Sequence, residues 1–142
     1  MNESILSFLN KQTCATVCCV DANNHPWCFS CFYAVDAKNG LLLFKSSPGA
    51  LHVDILRSNP KVAGTILPDK LNKLLVKGLQ FNGMVLTNDH PHSEVASRIY
   101  LKRHPVAMAI KGDIYCIRLD QVKFTDNALG FWKKIIWNRE AE

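Results

Sequence analysis

The chain has 142 residues and carries 17 lysine and arginine against 12 aspartate and glutamate residues, which gives a formal net charge of +5. A hydrophobic fraction of 48% excludes a disordered chain, and a content of only 7 glycine and 6 proline residues excludes collagen-like structure. A chain of this length is expected to form a single domain, residues 1–142, around one core.

Hydrophobic periodicity divides the first half of the chain into a helix, three strands and a second helix. Apolar residues at helical spacing predict an amphipathic helix over 3–12. The predicted strands of this half cover 13–20, 26–35 and 41–46. Asn39-Gly40 predicts a hairpin turn between the last two. Ser47-Pro48 has the pattern of a helix start, with a hydroxyl cap followed by proline, so a helix is expected from there to Ser58.

The second half of the chain is also divided into strands and a helix. The predicted strands cover 61–67, 72–87 and 114–124. Gly78 and Gly83 inside one of these strands indicate a bulge or a bend at a barrel corner. A helix is expected to open near Pro91 and to end before Pro105, and the tail over 131–137 is aromatic and basic. Long strands with few helices favour a mainly β (α+β) antiparallel barrel over a parallel α/β sheet.

The charge pattern, the length of the apolar runs and the N-terminal residues limit the expected classes of partner and the expected compartment. The basic residues are spread along the chain with no block of five or more, so we expect no nucleic-acid partner. No apolar run approaches the ~20 residues needed to cross a bilayer, so we expect no membrane partner. The acidic start Met-Asn-Glu-Ser is unlike a secretory signal, which predicts a cytoplasmic protein with reduced thiols.

Five of the six cysteines lie between Cys14 and Cys31, which raises the question of a zinc site. Cys28 and Cys31 fall on a predicted strand, where residues three apart point to opposite faces and cannot converge on one metal ion. We therefore predict no metal site and interpret the cysteines as buried, hydrophobic side chains. His104, like the pair at His90 and His92, is expected at a surface position near a helix end. No catalytic residue is predicted.

The most informative segment runs from Phe44 to Ala50, where a strand meets the start of a helix. It brings Lys45, Ser46 and Ser47 to unpaired backbone amides at the positive end of the helix dipole, and His52 follows on the first turn. This arrangement is typical of an anion site. The alternative interpretation is simple capping of the helix by Ser47.

Several local patterns together resemble the pyridoxamine 5'-phosphate oxidase-like, FMN-binding split-barrel family. They are Leu43-Phe44-Lys45-Ser46, the helix end Ile55-Leu56-Arg57-Ser58-Asn59-Pro60, the glycine strand Phe81-Asn82-Gly83-Met84-Val85 and the final strand from Ile117 to Phe124. Within the family, the ending Lys123-Phe124-Thr125-Asp126-Asn127-x-Leu129-Gly130-Phe131 is most similar to the YhbP group. The resemblance covers nearly the whole chain.

The resemblance implies a six-stranded antiparallel split β-barrel with a few short helices, acting as a homodimer with FMN in a cleft between subunits. It further implies a flavin-dependent oxidoreductase with a small-molecule substrate that the sequence does not identify. The cofactor-binding residues expected from it, together with the anion-site argument, are Ser30, Cys31, Phe32, Lys45, Ser46, Ser47, His52, Lys77, Gln80 and Lys133. The alternatives are a non-catalytic module on the same barrel that binds haem, through His52 or His104, or another anionic small molecule, and a cofactor-free dimer.

The chain departs from the family at positions that bind phosphate or face the ring in the oxidase. The residues that stand at these positions are Phe29, Ala34, Ala50, Leu51 and Thr125. Each lost Lys or Arg removes a charge-assisted contact to phosphate. Lys45, Lys73 and Lys77 are the candidates to replace them, and oxidation of pyridoxamine phosphate itself is not expected.

Overall fold

The computed structural model describes residues 1–129 and 133–140. It contains three α-helices, α1 Glu3–Lys11, α2 Leu51–Ser58 and α3 Ser93–Arg103. The strands are β1 Cys14–Val20, β2 Pro26–Asp36, β3 Leu41–Ser46, β4 Lys61–Ile66, β5 Lys77–Val85, β6 Asp113–Asp126 and β7 Lys134–Asn138. Short 3-10 helices cover Pro105–Ala109 and Asn127–Leu129. None of the helices in this part of the chain is long and apolar enough to span a membrane.

The strands form one antiparallel sheet in the order β3-β2-β1-β4-β5-β6-β7. The sheet closes on itself because β3 also pairs with the first half of β6, from Leu41 opposite Arg118 to Ser46 opposite Asp113. Six strands therefore form a barrel, and β7 extends the sheet beside the second half of β6. The prediction of a mainly β, six-stranded antiparallel barrel with a few short helices is confirmed.

Alternation along the strands separates the barrel interior from its surface. In β4 every second residue is buried, as expected for a strand with one face on the core. Helix α1 packs against the barrel through Ile5, Phe8 and Leu9, and the Phe8 ring lies 5.0 Å from that of Phe124. The Tyr33 hydroxyl donates a hydrogen bond of 2.7 Å to the Leu9 carbonyl and fixes this helix to β2.

A register shift between Asn82 and Gly83 bends β5 against β6, which confirms the irregularity predicted in this strand. A Cβ atom at Gly83 would overlap the carbonyl oxygen of Arg118, so only glycine allows the two backbones to approach so closely. The long strand β6 can therefore pair with β5, β3 and β7 along its 14 residues.

Two predicted boundaries are wrong, each because a hydrogen-bonded turn delays the start of the element. The strand expected from residue 72 begins only at Lys77, since Asn72 Oδ1 accepts from the Leu74 amide at 3.0 Å and holds a turn. Ser47 does not cap α2. Its carbonyl accepts from the Ala50 amide in a turn that delays the helix to Leu51. Strand β7 was not predicted, and Gly130 and Phe131 of the family-like ending lie outside the described residues.

The interpretation of the cysteines as buried side chains is wrong for most of the cluster. Cys19 and Cys116 are buried, whereas Cys14 and Cys28 are exposed and Cys18 and Cys31 are half-buried. Cys14, Cys18 and Cys28 lie on the outer face of β1 and β2, away from the barrel interior. Periodicity assigns them to a strand but does not show which face of that strand is covered.

Candidate functional site

A groove with a volume of about 720 Å³ lies between strands β2 and β3 and the segment that follows α3. One wall is formed by Phe29, Ser30, Cys31, Phe32, Lys45, Ser46, Ser47 and His52. The opposite wall is formed by Tyr100, Arg103, His104, Pro105, Val106, Ala107, Ile110 and Lys111. Its volume falls within the ~300–1,000 Å³ that is usual for small-molecule sites.

His52 lies at the end of the groove where β3 meets α2, and two neighbours fix its ring. Its Nε2 atom is 2.7 Å from the Ser46 hydroxyl, so the two groups share a hydrogen bond. The Phe29 ring stacks on the other side, with centroids 3.8 Å apart and planes at 10°. Burial lowers the pKa of His52. A neutral imidazole adds no positive charge to this end of the groove.

His104 is the second histidine of the groove, and its side chain does not lie at a free surface position as expected. Its Nε2–H donates to the Tyr33 carbonyl at 2.6 Å, because a carbonyl oxygen only accepts. The ring packs near those of Phe32 and Tyr100, with centroid distances of 6.0 and 4.9 Å. Its Nδ1 atom has no hydrogen-bond partner among the described residues.

The groove is positively charged. Three of its lining residues are cationic, namely Lys45, Arg103 and Lys111, and none of the lining residues in the described part of the chain is a carboxylate. Lys45 Nζ donates to the Ala107 carbonyl at 2.6 Å, and Arg103 donates to the Asn10 carbonyl at 3.0 Å, so both charges are held in place. A concave, carboxylate-free site of this kind attracts anions.

Apolar side chains lie in the open groove. Phe32 is 63% exposed, Val106 78% and Ile110 60%. Exposed apolar side chains grouped in this way are typical of surfaces that bind ligands or other proteins. Beside it, burial raises the pKa of Cys31 to about 12, so this thiol is protonated at neutral pH and is a poor nucleophile.

Seven of the ten cofactor-binding residues predicted from the sequence line the groove, namely Ser30, Cys31, Phe32, Lys45, Ser46, Ser47 and His52. The other three lie elsewhere in the same chain. Lys77 forms an ion pair with Asp126 at 3.2 Å. Gln80 is exposed on β5, and the exposed Lys133 accepts a backbone hydrogen bond from Asp126. Lys73, offered as a substitute cation, is not part of the groove either.

The sequence interpretation missed Tyr100, Arg103 and Lys111 of the opposite wall, and it named His104 only for the haem alternative. The only local signal was the density of basic residues at the end of α3, which is common at helix C-termini for dipole reasons alone. These residues reach the groove because β6 pairs with β3 and brings the segment before it beside Ser46.

The arrangement can hold an anionic group at one end and a flat apolar group beside it. The hydroxyls of Ser46 and Ser47 and the groove cations provide polar contacts at the β3–α2 end, and Phe32, Val106 and Ile110 provide the apolar surface. No carboxylate is among the described lining residues, and the Ser46 hydroxyl is paired with the His52 imidazole.

The chain is similar in sequence to a group of bacterial proteins, although no protein-family model matches it. It is 36% identical to a UPF0306 protein of Photorhabdus laumondii over 132 residues, which cover 93% of this chain and 92% of that protein. It is 35% identical to the UPF0306 protein YhbP of Salmonella schwarzengrund over 134 residues, which cover 94% of this chain and 90% of that protein.

Solved structures share the fold at low sequence identity. A haem-binding protein from Mycobacterium smegmatis superposes with a TM-score of 0.77 at 14% identity, over 92% of this chain and 55% of that one. An FAD-binding protein from Mesorhizobium loti gives 0.67 at 15% identity, over 86% and 92% of the two chains. An F420 reductase gives 0.62 at 21% identity, over 86% and 98%.

Proposed function

The chain belongs to the UPF0306 family, and we propose that it is a small-molecule-binding split barrel of the pyridoxamine 5'-phosphate oxidase-like type that holds FMN in the groove between β2, β3 and the end of α3. The observation that carries the proposal is the groove itself. It combines three cations and two serine hydroxyls with an exposed apolar wall and has no carboxylate among its described lining residues. FMN joins a phosphate to a flat, largely apolar ring and needs these two environments side by side.

The phosphate would lie at the β3–α2 end. Ser46, Ser47 and the neutral His52 are the hydrogen-bonding groups at this end, and Lys45 is the nearest cation on the same strand. At several positions where the resemblance to the oxidase implies a charged, phosphate-binding residue, this chain has an uncharged one. Arg103 and Lys111, which come from the opposite wall, supply positive charge in their place.

The flavin ring would lie along β2, against Ser30, Cys31 and Phe32, with the apolar side chains of Val106 and Ile110 opposite. When bound, FMN supplies electron transfer, and the protein contributes anchoring, orientation and exclusion of water. We therefore propose a flavin-dependent oxidoreductase whose small-molecule substrate is unidentified. The names of the fold neighbours, which include an FAD-binding protein and an F420 reductase, support a ligand of this type.

We further propose that the protein, as a single split-barrel domain, acts as a homodimer and that a second copy covers the open side of the groove. Exposed Phe32, Val106 and Ile110 provide apolar surface for such a contact. Gln80, Lys77 and Lys133 lie outside the groove of their own chain, and a second copy is the one route by which they would approach the cofactor. Sedimentation velocity tests this part: a mass of 16.0 kDa for the purified protein would contradict it.

The visible spectrum of freshly purified protein tests the central proposal. We expect flavin absorbance, or, after removal of the ligand, quenching of FMN fluorescence that saturates at one FMN per chain. Riboflavin, which lacks the phosphate, is the matched control ligand, and its binding should be at least tenfold weaker because charge-assisted phosphate contacts are missing. A colourless protein that does not quench FMN fluorescence would refute the assignment.

Haem is the second candidate. The similarity in fold to a haem-binding protein and the position of His104 in the groove favour it. However, His104 Nε2 is committed to the Tyr33 carbonyl and His52 Nε2 to Ser46, which leaves only Nδ1 of each ring for iron. Addition of haem distinguishes the two ligands. A Soret band that disappears in His104→Ala would support haem, and its absence would dismiss this candidate.

A further inference from the structure

Two cysteines that are not among the lining residues of the groove face each other on the outer surface of the barrel. Cys18 on β1 is directly opposite Cys28 on β2 in the antiparallel register. Their Sγ atoms are 3.0 Å apart. Cys28 is exposed and Cys18 is half-buried, so a small reagent can reach the pair from solvent.

The pair lies at the kind of register position that suits a cross-strand disulfide. The Asp21 amide bonds to the His25 carbonyl and the Tyr33 amide to the Thr13 carbonyl, so both ends of the β1–β2 ladder are hydrogen-bonded pairs. Hydrogen-bonded and non-hydrogen-bonded pairs alternate along an antiparallel ladder. Cys18 and Cys28 are an odd number of positions from each end pair, so they form a non-hydrogen-bonded pair. In such pairs the Cα atoms are about 4.5 Å apart and the side chains are closest, within the range that a disulfide spans.

The other cysteines lack this relationship. Cys14 is exposed on the same strand, but its partner across the ladder is Phe32. Cys19 is opposite Trp27 and buried, and Cys31 is opposite Ala15. Among the described residues no group of three or more His, Cys, Asp or Glu side chains could hold a metal ion.

We propose that Cys18 and Cys28 form a reversible dithiol–disulfide site that reacts with low-molecular-weight disulfides of the glutathione class. The assignment is independent of the ligand in the groove.

The reaction proceeds in two exchange steps. The exposed Cys28 thiolate attacks one sulfur of the small disulfide, which breaks that S–S bond, forms a mixed disulfide on Cys28 and releases one small thiol. Cys18 then attacks the Cys28 sulfur, forms the protein disulfide and releases the second small thiol. Two protein thiols are oxidised, one small disulfide is reduced, and the two protons leave on the small thiols.

Exposure assigns the first step to Cys28, because its sulfur is the one that a small disulfide in solvent reaches first. The hydrogen bond to Cys28, followed by burial, raises the pKa of Cys18 to about 11, so Cys18 keeps its proton at neutral pH. Since attack needs a thiolate, the exchange accelerates as pH rises.

Oxidised glutathione, added to the reduced full-length protein, is the probe. Cysteines 14 to 31 all fall in one tryptic peptide, because no lysine or arginine lies between Lys11 and Lys38. Cleavage before Asp21 and after Phe29 without reduction separates Cys18 from Cys28 and Cys28 from Cys31. We expect mass spectrometry to find the two peptides joined, fragmentation to place the bond at Cys18, and the free-thiol count to fall by two.

Matched variants complete the test. Cys28→Ser should abolish the joined peptides, and Cys14→Ser, which removes an equally exposed thiol on the same face, should leave them unchanged. Circular dichroism confirms that both variants are folded. Glutathione that stays on Cys28 with Cys18 free, a bond between other cysteines, a bond between two chains on a non-reducing gel, or absence of any reaction would each overturn the proposal.

Discussion

The Phe29 ring lies face to face with the His52 imidazole, with centroids 3.8 Å apart. The resemblance to the pyridoxamine phosphate oxidases implies that Phe29 occupies the position of a cationic residue and His52 that of a phosphate-binding lysine. On this resemblance, a stacked, uncharged pair fixed by the Ser46 hydroxyl takes the place of two charges of the oxidase. The charge of the groove comes instead from Lys45, Arg103 and Lys111.

The stacked pair makes stability depend on pH through His52. Burial lowers the pKa of His52, so on acidification the unfolded chain takes up this proton before the folded chain does. The contribution of His52 to the free energy of unfolding is therefore fully present above the ordinary histidine pKa of about 6.5, and it is lost as pH falls below that value. Urea unfolding between about pH 7 and 5 should show a smaller decrease for His52→Asn than for the wild type. Parallel curves would contradict this origin of the pH dependence.

A second variant pair tests the cause of the shift. Phe29→Leu opens one face of the imidazole to water, so the pKa of His52, followed by NMR, should rise toward its ordinary value. Phe32→Leu is the matched control, because Phe32 lies on the same strand and contacts His104 rather than His52. An equal rise in both variants would mean that the stacking does not set the pKa.

The hydroxyl of Tyr33 should contribute measurably to stability. It donates a 2.7 Å hydrogen bond to the Leu9 carbonyl in the buried contact between α1 and β2. Tyr33→Phe leaves that carbonyl without a donor, and we expect a loss of about 1–2 kcal/mol in the free energy of unfolding. Tyr100→Phe, which removes a longer hydrogen bond of 3.5 Å to the Phe32 carbonyl, should cost less. Equal losses in urea titrations would argue against the prediction.

Gly83 should tolerate no side chain. Its Cβ would overlap the Arg118 carbonyl, a backbone atom that moves only if β5 and β6 separate at the bulge. We expect Gly83→Ala to lower the free energy of unfolding by at least about 2 kcal/mol. At Gly49 an added Cβ meets no atom within 4 Å, so Gly49→Ala should change stability by less than about 0.5 kcal/mol. Thermal unfolding of the two variants measures the difference.

Lys111 should contribute to the affinity for FMN, a prediction that rests on the proposed function. It is exposed at the rim of the groove, and Lys111→Gln should raise the Kd for FMN about three- to tenfold through loss of a charge near the phosphate. Lys61→Gln removes an exposed lysine from β4, outside the groove, and should leave the Kd unchanged. The Kd for riboflavin should not respond to either substitution, because riboflavin has no phosphate.

Local patterns predicted most of the elements correctly, and the failures have physical causes. The hairpin at Asn39-Gly40 and the irregularity at Gly83 depend on backbone conformations that these residues signal directly. The missed start of α2 depends on competition between two uses of Ser47, as a helix cap or as the first residue of a turn. Both uses suit the same residue type, so the sequence does not distinguish them.

The site was predictable only on the side where its residues are consecutive. Lys45, Ser46 and Ser47 follow one another at the end of a strand, and β2 places Ser30 to Phe32 beside them. Arg103, His104 and Lys111 belong to the same groove only because a strand pairs with another from the far half of the chain. Such long-range pairing leaves no periodic signal at the residues that it brings together.

The closure of the barrel by β3 and β6 also sets the order in which the molecule can fold. Leu42 and Ile117 pair although about half of the chain separates them, so this ladder carries the largest loop-closure cost and is expected to form late. The two walls of the groove come from the two halves of the chain that this closure brings together. A ligand in the groove should therefore leave the folding rate unchanged and slow the unfolding rate alone.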